Sequence, residues 1–382
     1  MIRNIKVLFQ NFCFKNPPKS DIVIFDETNS KFVSDYILDN LPYYIYETRP
    51  KIIFISLKVI YYFIKSLQSI DCKYVVSKNK KFRALFGELS RHYYLSCFQL
   101  ICPKIVITNI DNSGWYHWLS KKYIGAEFFA IQNGHRTNEQ LKKSVQQYHQ
   151  HFFCFGEYDK SKYERFGHSV LNYYPIGSLK LGIYDHYYKM DNKIIYDISI
   201  VSQFRPFTFD KHSALNPDEK RAKASQIKMH NYLSKYIQKK KIKACIILSS
   251  DQNNEIKWFR NIFHDNVDYI PNNAELLLSY KALQMSKISI GFNSTLISEA
   301  MCLNNKILRI DFTESSDFNE YKPMILLNNP TYQEMSERLD QLLAEPYDSY
   351  RKRTKEYASY VMNYDPCLPP HIYIRKKIEE YL

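Results

Sequence analysis

Apolar positions in this chain gather into short runs that recur along its length. In the first half they read IKVLFQN (5–11), DIVIFDE (21–27), KIIFISL (51–57), CKYVVS (72–77), KIVITNI (104–110) and EFFAIQNG (127–134). Stretches of helical spacing separate them near 30–40, 57–68, 82–98 and 113–122. Strand followed by helix, repeated, predicts a parallel sheet covered on both faces. HFFCFGEY (151–158) and YYPIGSLK (173–180) predict two later strands ending in turns.

From about residue 190 the pattern restarts. YDISIVSQF (196–204), KACIILSSDQ (243–252), KISIGFNS (287–294) and NKILRIDF (305–312) predict strands, while residues 221–240 and 272–286 predict helices. The chain is therefore expected to be α/β with two domains, 1–185 and 186–345, joined by the polar stretch 181–193. A helix around 332–356 leads into a helical tail, 346–382, expected to pack across both domains. A length of 382 residues fits two cores of ordinary size.

Composition adds a charge. Lys and Arg outnumber Asp and Glu by 53 to 39, a formal charge of +14, which favours an anionic partner or simply coats the surface with lysine. There is no zinc-finger spacing and no dense basic recognition helix, so nucleic acid is not the expected partner. The segment 49–67, RPKIIFISLKVIYYFIKSL, is apolar and basic together. On one helix Lys51, Lys58 and Lys65 would share a face and leave the apolar remainder opposite, as in an interfacial helix. A strand followed by a buried helix fits the same residues. The run is too interrupted to span a bilayer, and the N-terminus shows no signal peptide, so a cytoplasmic location is expected, at most peripheral to the inner face of the membrane. The cysteines, Cys13, Cys72, Cys97, Cys102, Cys154, Cys245, Cys302 and Cys367, form no paired ligand motif; reduced structural thiols and no metal site are expected.

The candidate chemistry lies where apolar runs end. After KISI come Gly291, Asn293, Ser294 and Thr295, then a helix carrying Glu299. Helix-start N–H groups with the Ser294 and Thr295 hydroxyls suit a phosphate or diphosphate, and Glu299 suits sugar hydroxyls. The same residues equally suit a cap and a solvent-facing carboxylate. AIQNGHR places His135, a proton shuttle, beside Arg136, a rigid fork for phosphate or carboxylate. ITNIDNSGWYHW sets Asp111 beside Trp115, Tyr116 and Trp118, a carboxylate with aromatic faces, or else a cap and a core. Glu157 after FFCF is a further possible base. Gly177, Ser178 and Lys180 form a turn where lysine would neutralise phosphate, and Gln203 with Arg205 follows the first strand of the second half. No GxGxxG, Walker lysine motif or DxD stands in a supporting context.

In this order, ITNIDN, FFAIQNGHR, FFCFGEY, PIGSLK, DISIVSQFR and IGFNSTLISEAMCLNNKILRID resemble the bacterial surface carbohydrate biosynthesis proteins over roughly 1–345. More distantly they are similar to teichoic-acid glycerophosphotransferases and capsule transferases for Kdo. The resemblance implies a GT-B fold, two Rossmann-like domains facing a cleft, with acceptor bound by the first and nucleotide donor by the second. It implies a glycosyltransferase that moves a sugar from a nucleotide-activated donor to a hydroxyl of a surface glycan or lipid-linked acceptor, with no cofactor and no metal. The base would be His135, then Asp111, then Glu157 in order of preference. Arg136, Lys180, Arg205 and the helix start at Ser294 would steady the leaving nucleotide, and an anionic membrane would be a peripheral contact. Transfer of a polyol phosphate from a CDP donor, nucleotide-sugar epimerisation or hydrolysis, and a non-catalytic glycan-binding scaffold are the alternatives.

Overall fold

A computed structural model describes residues 12–48, 52–68, 81–144, 146–189, 193–204, 217–249, 252–272, 277–313 and 322–382. The strands expected at 5–11 and 72–77 lie outside the described residues, as do Lys51, Cys72 and Arg205.

Two six-stranded sheets, parallel throughout, form the frame. The first contains β2 (Ile22–Phe25), β3 (Tyr44–Tyr46), β5 (Ile105–Thr108), β6 (Glu127–Ile131), β7 (Tyr148–Cys154) and β8 (Ser169–Pro175), in the order β3-β2-β5-β6-β7-β8. The second contains β9 (Tyr196–Val201), β10 (Ala244–Ile247), β11 (Val267–Ile270), β12 (Ser286–Gly291), β13 (Lys306–Asp311) and β14 (Leu326–Asn328), in the order β11-β10-β9-β12-β13-β14. A small parallel pair, β1 (Phe12–Cys13) with β4 (Ile53–Phe54), stands apart from both. These are two Rossmann-like halves, the GT-B architecture.

The apolar runs become strands because helices cover both faces, leaving no water-facing side to favour polar residues. Every residue of β2, β5, β10 and β13 is buried. Alternation still sorts them: Ile22 and Ile24 join a core shared with the second half, whereas Val23 and Phe25 join an aromatic core with Phe98, Tyr116, Phe128 and Phe152.

The join between the sheets is helical, in place of the expected polar stretch. Ser178 caps Leu179–Ile183, which runs on as a π-helical turn, Tyr184–Tyr188. Tyr184 is buried and stacks on Tyr280 of the second half at 5.4 Å. After Tyr332–Ala344 on the second half, the chain returns to the first as helices Tyr347–Val361 and Pro370–Glu379. Glycine makes the return possible. Gly156 and Gly182 let Tyr360–Val361 and Pro370 approach so closely that a Cβ has no room, and Gly177 takes a φ of +86° beneath Asn363 and Tyr364. Arg375 then donates to the carbonyls of Ile37 and Leu38.

Candidate functional site

In the second sheet the strand order reverses between β9 and β12, the place where open α/β sheets leave a crevice for ligands. The two strand ends are tied together there: the Asn293 N–H donates to Gln203 Oε1 at 2.7 Å. Gly291 is tightly enclosed, since a Cβ would meet Ile297 at 2.9 Å and Val201 at 3.5 Å. The following helix, Thr295–Ala300, has only six residues, and Ser294 caps it by accepting from the Leu296 N–H. That short, capped start is less open to a phosphate than the sequence implies, because its own side chain and the Ser294 carbonyl already take the Leu296 and Ile297 N–H groups.

Opposite lies the loop after β6. Buried Gln132 braces it, accepting from the Phe155 N–H at 2.9 Å and donating to the Gly134 carbonyl at 3.1 Å. His135 thereby projects into the second half. Its N–H donates to Thr295 Oγ1 at 3.0 Å, and its ring lies edge-on to Phe155 and Tyr158. Nδ1 sits 3.2 Å from Oδ1 of Asp159, and Nε2 sits 3.1 Å from Oγ of Ser298. Arg309, 1% exposed in β13, donates to the same Ser298 Oγ at 2.7 Å and to the carbonyls of Phe292 and Ser294.

These bonds share one polarity. With Asp159 accepting the proton of Nδ1, the lone pair rests on Nε2 and accepts from the Ser298 hydroxyl, which accepts from Arg309. A guanidinium and a carboxylate therefore terminate a chain running through an imidazole that bridges the halves. Asp159 and the His135 side chain are 1% and 5% exposed, so the contact is shielded from bulk water.

A second cluster lies on the same short helix. Glu299 is buried and takes hydrogen bonds from Ser178 and from Tyr280. Burial pushes its carboxyl above the ordinary value, against those bonds and the charge of Lys180. Burial also lowers Lys180, opposed by Glu299, and its ammonium rests over the Phe32 ring at 5.0 Å.

The remaining expected residues divide. Asp111 is fully buried and accepts from the Asn133 N–H, the Tyr163 hydroxyl and Arg136, with no face left for an acceptor hydroxyl. Its place is that of an anchor for Arg136. Burial alone would weaken the Arg136 charge, but Asp111 and Tyr163 outweigh it and hold its pKa above the ordinary value. Arg136 also donates to Asn133 Oδ1 through the same Nη2, which is therefore committed to protein, while its buried Nε has no partner among the described residues. Beside it opens a cavity of about 420 Å³ lined by Asn112, Glu139, Gln140, Lys143 and Gln147. Glu157 opens its helix, Glu157–Arg165, half exposed and paired with Lys160 at 3.4 Å, without reaching His135. Asp159, Ser298, Arg309 and Tyr280 were not singled out from sequence. Arg309 had a usable signal, a cation within the apolar run ILRI, which must be paired if buried. Among the described residues no group of three or more His, Cys, Asp or Glu could hold a metal ion, and no helix is long and apolar enough to cross a membrane.

No curated protein sequence matches the chain. Among solved structures it is similar to Staphylococcus aureus MnaA in a co-structure with UDP, at 11% identity and a TM-score of 0.52, covering 94% of this chain and 95% of that one. It is similar also to the α,α-trehalose 6-phosphate synthase of Burkholderia multivorans, at 7% identity and 0.50, covering 96% of each. The UDP-GlcNAc 2-epimerase of Neisseria meningitidis bound to UDP-GlcNAc aligns at 13% and 0.48, covering 94% of this chain and 98% of that one. At such identities the likeness is one of fold. The family model described as "putative O-antigen biosynthesis protein" matches residues 129–369, from within β6 and the His135 loop through the whole second half to the tail, well over half of the chain. The chain belongs to this family of O-antigen biosynthesis proteins.

Proposed function

We propose that the chain is an enzyme acting on a nucleotide-activated sugar in the cleft between its halves, with His135 as the proton-transferring residue. The observation that carries this is the Asp159–His135 pair aimed at the second half: a carboxylate fixes the imidazole tautomer and leaves Nε2 basic toward the cleft. Nucleotide recognition is assigned to the second half, at the strand ends joined by Gln203 and Asn293, with Gly291, Ser294 and Thr295 beside them; Arg205, close by in sequence, lies outside the described residues. Glu299, with Ser178 and Lys180 beside it and Gly177 shaping the turn, is assigned to donor hydroxyls. The fold shared with a UDP-bound protein supports a nucleoside diphosphate there.

Within this reading, glycosyl transfer takes an acceptor hydroxyl whose proton passes to His135 Nε2 as its oxygen attacks the anomeric carbon and the nucleotide diphosphate departs. A glycan or lipid-linked acceptor fits the family description and the polar cavity beside Arg136. Lys180, with Arg205 assigned by its place in sequence, is the charge proposed to stabilise the departing diphosphate, so the scheme calls on no metal. Epimerisation or hydrolysis of the donor is the second reading; it is equally compatible with the UDP-bound fold and needs no acceptor.

The test is a mass-spectrometric panel of UDP-, GDP-, dTDP-, CMP- and CDP-activated compounds with purified protein, with and without extracted surface glycan. Nucleotide release coupled to a glycan mass increase supports transfer, and the added mass separates a sugar from a polyol phosphate. Donor isomerised or hydrolysed without glycan supports the second reading. Turnover that persists in His135→Ala overturns the assignment of the base.

A further inference from the structure

The helix Leu57–Leu67 carries apolar residues on the wrong side for water. Leu57 is 87% exposed, Tyr61 59% and Ile64 60%, with Ile60 exposed between them. Their spacing of three, one and three residues places all four on one face. The opposite face is apolar too: Val59 is buried, Tyr62 and Phe63 are partly buried, and the helix packs against Lys81–Ile101. A surface helix normally turns polar residues outward.

Lys58 and Lys65, seven residues apart, share a face as expected, but the apolar remainder is not confined to the opposite one. Lys58 and Lys65 stand on the exposed face, among the apolar side chains, and the helix has no Asp or Glu. The patch extends beyond it. Phe14, 78% exposed, lines with Leu57, Lys58 and Ile60 a shallow cavity of about 470 Å³, Ile52 is exposed just before the helix, and Leu85 and Phe86 are exposed on the packed neighbour. Exposed Ile124 and Leu171, by contrast, are single residues of the ordinary kind.

A second copy of the chain is a poor occupant, because a two-fold contact would set these lysines against their own counterparts with no carboxylate on the helix between them. An anionic bilayer surface satisfies both features. Apolar side chains enter the boundary between headgroups and acyl chains while the lysine ammonium groups remain with phosphate. The helix has eleven residues and no helix among those described is long and apolar enough to cross a membrane, so it would lie on the surface.

We propose that this face, centred on Leu57, Ile60, Tyr61 and Ile64 with Lys58 and Lys65, docks the protein on an anionic phospholipid surface. The proposal is independent of the chemistry in the cleft. Vesicle flotation of the full chain tests it. Phosphatidylglycerol-containing vesicles carry the wild type at least tenfold better than pure phosphatidylcholine vesicles, and high salt removes the difference. The triple variant L57S/I60S/I64S loses at least tenfold in partitioning, and K58Q/K65Q loses about fivefold per lysine on anionic vesicles only. All five positions are exposed, so melting temperatures stay with the wild type. No preference for anionic vesicles, or folded variants that float like the wild type, overturns the proposal. So does a wild-type dimer that the serine variant converts to monomer while vesicle binding is unchanged.

Discussion

His135 Nε2 and Ser298 Oγ lie 163 positions apart in sequence and 3.1 Å apart in space. One residue comes from the loop after a strand of the first sheet, the other from the short helix after a strand of the second. The bond therefore exists only while the halves are together, and any ligand that reaches Nε2 must displace the Ser298 hydroxyl or share it. Arg309 holds that hydroxyl from beneath, which leaves Ser298 as the movable member between two fixed ones.

Asp159→Asn separates orientation from mere packing. The asparagine fills the same space but no longer stabilises the imidazolium, and its amide can favour the other tautomer. Turnover is expected to fall about 10²- to 10⁴-fold with little change in KM. A variant that keeps wild-type kcat, or that loses activity only through KM, would rule out Asp159 as the positioning residue.

Arg309→Met leaves the carbonyls of Phe292 and Ser294 and the Ser298 hydroxyl without their buried donor. Unsatisfied buried acceptors are costly, so a loss of about 3 kcal/mol is expected by urea unfolding. Ser298→Ala removes one partner only and should cost about 1 kcal/mol. Equal losses for the two variants would show that Arg309 does not organise the turn.

The sheets were legible because their strands are buried on both faces and read as unbroken apolar runs. The edge strands Tyr44–Tyr46, Val267–Ile270 and Leu326–Asn328 were not, since three or four residues carry too little period to read. Asp159 escaped for a geometric reason. The turn expected after FFCF begins a helix at Glu157, and successive helical positions rotate by about 100°. Glu157 consequently faces water while Asp159, two residues on, turns back to His135. Ser298 acquires meaning only when the second sheet brings Arg309 of the neighbouring strand beneath its helix, a relation that local pattern does not encode. The pairing of Arg136 with Asp111 was hidden likewise, both having been read as groups awaiting substrate.

The tail depends on glycine more than on its own contacts. A methyl at Gly156 overlaps the Tyr360 carbonyl oxygen, and one at Gly182 lies 2.5 Å from Pro370 Cδ. Gly156→Ala and Gly182→Ala should each destabilise by about 1–3 kcal/mol and make the helices after residue 346 more accessible to protease. Gly87→Ala, where nothing lies within 4 Å of the added carbon, serves as the comparison and should be neutral to slightly stabilising. Tail protection identical in all three variants would show that the close approaches do not hold the tail.

Acid should unfold the protein well above the pH at which carboxylates titrate, because several histidines are buried neutral. Burial lowers His117 and His371 to about 4 and His230 to about 3, and takes His149 well below its ordinary value. The folded pKa lies under the unfolded value of about 6.5, so above pH 6.5 neither state binds a proton at these rings and their full stability is present. As pH falls from 6.5 toward 4 the unfolded chain takes up protons that the folded chain refuses, and stability declines. His230 is the cleanest instance. Its ring is fully buried against Trp258, Phe259 and Phe263, and its nitrogens have no partner among the described residues. It alone should account for about 2 kcal/mol lost between pH 7 and pH 5. His230→Leu should be close to neutral at pH 7 and recover that loss at pH 5, measured by urea unfolding at both values. An unchanged pH dependence in the variant would mean that the buried imidazole takes up a proton in the folded state.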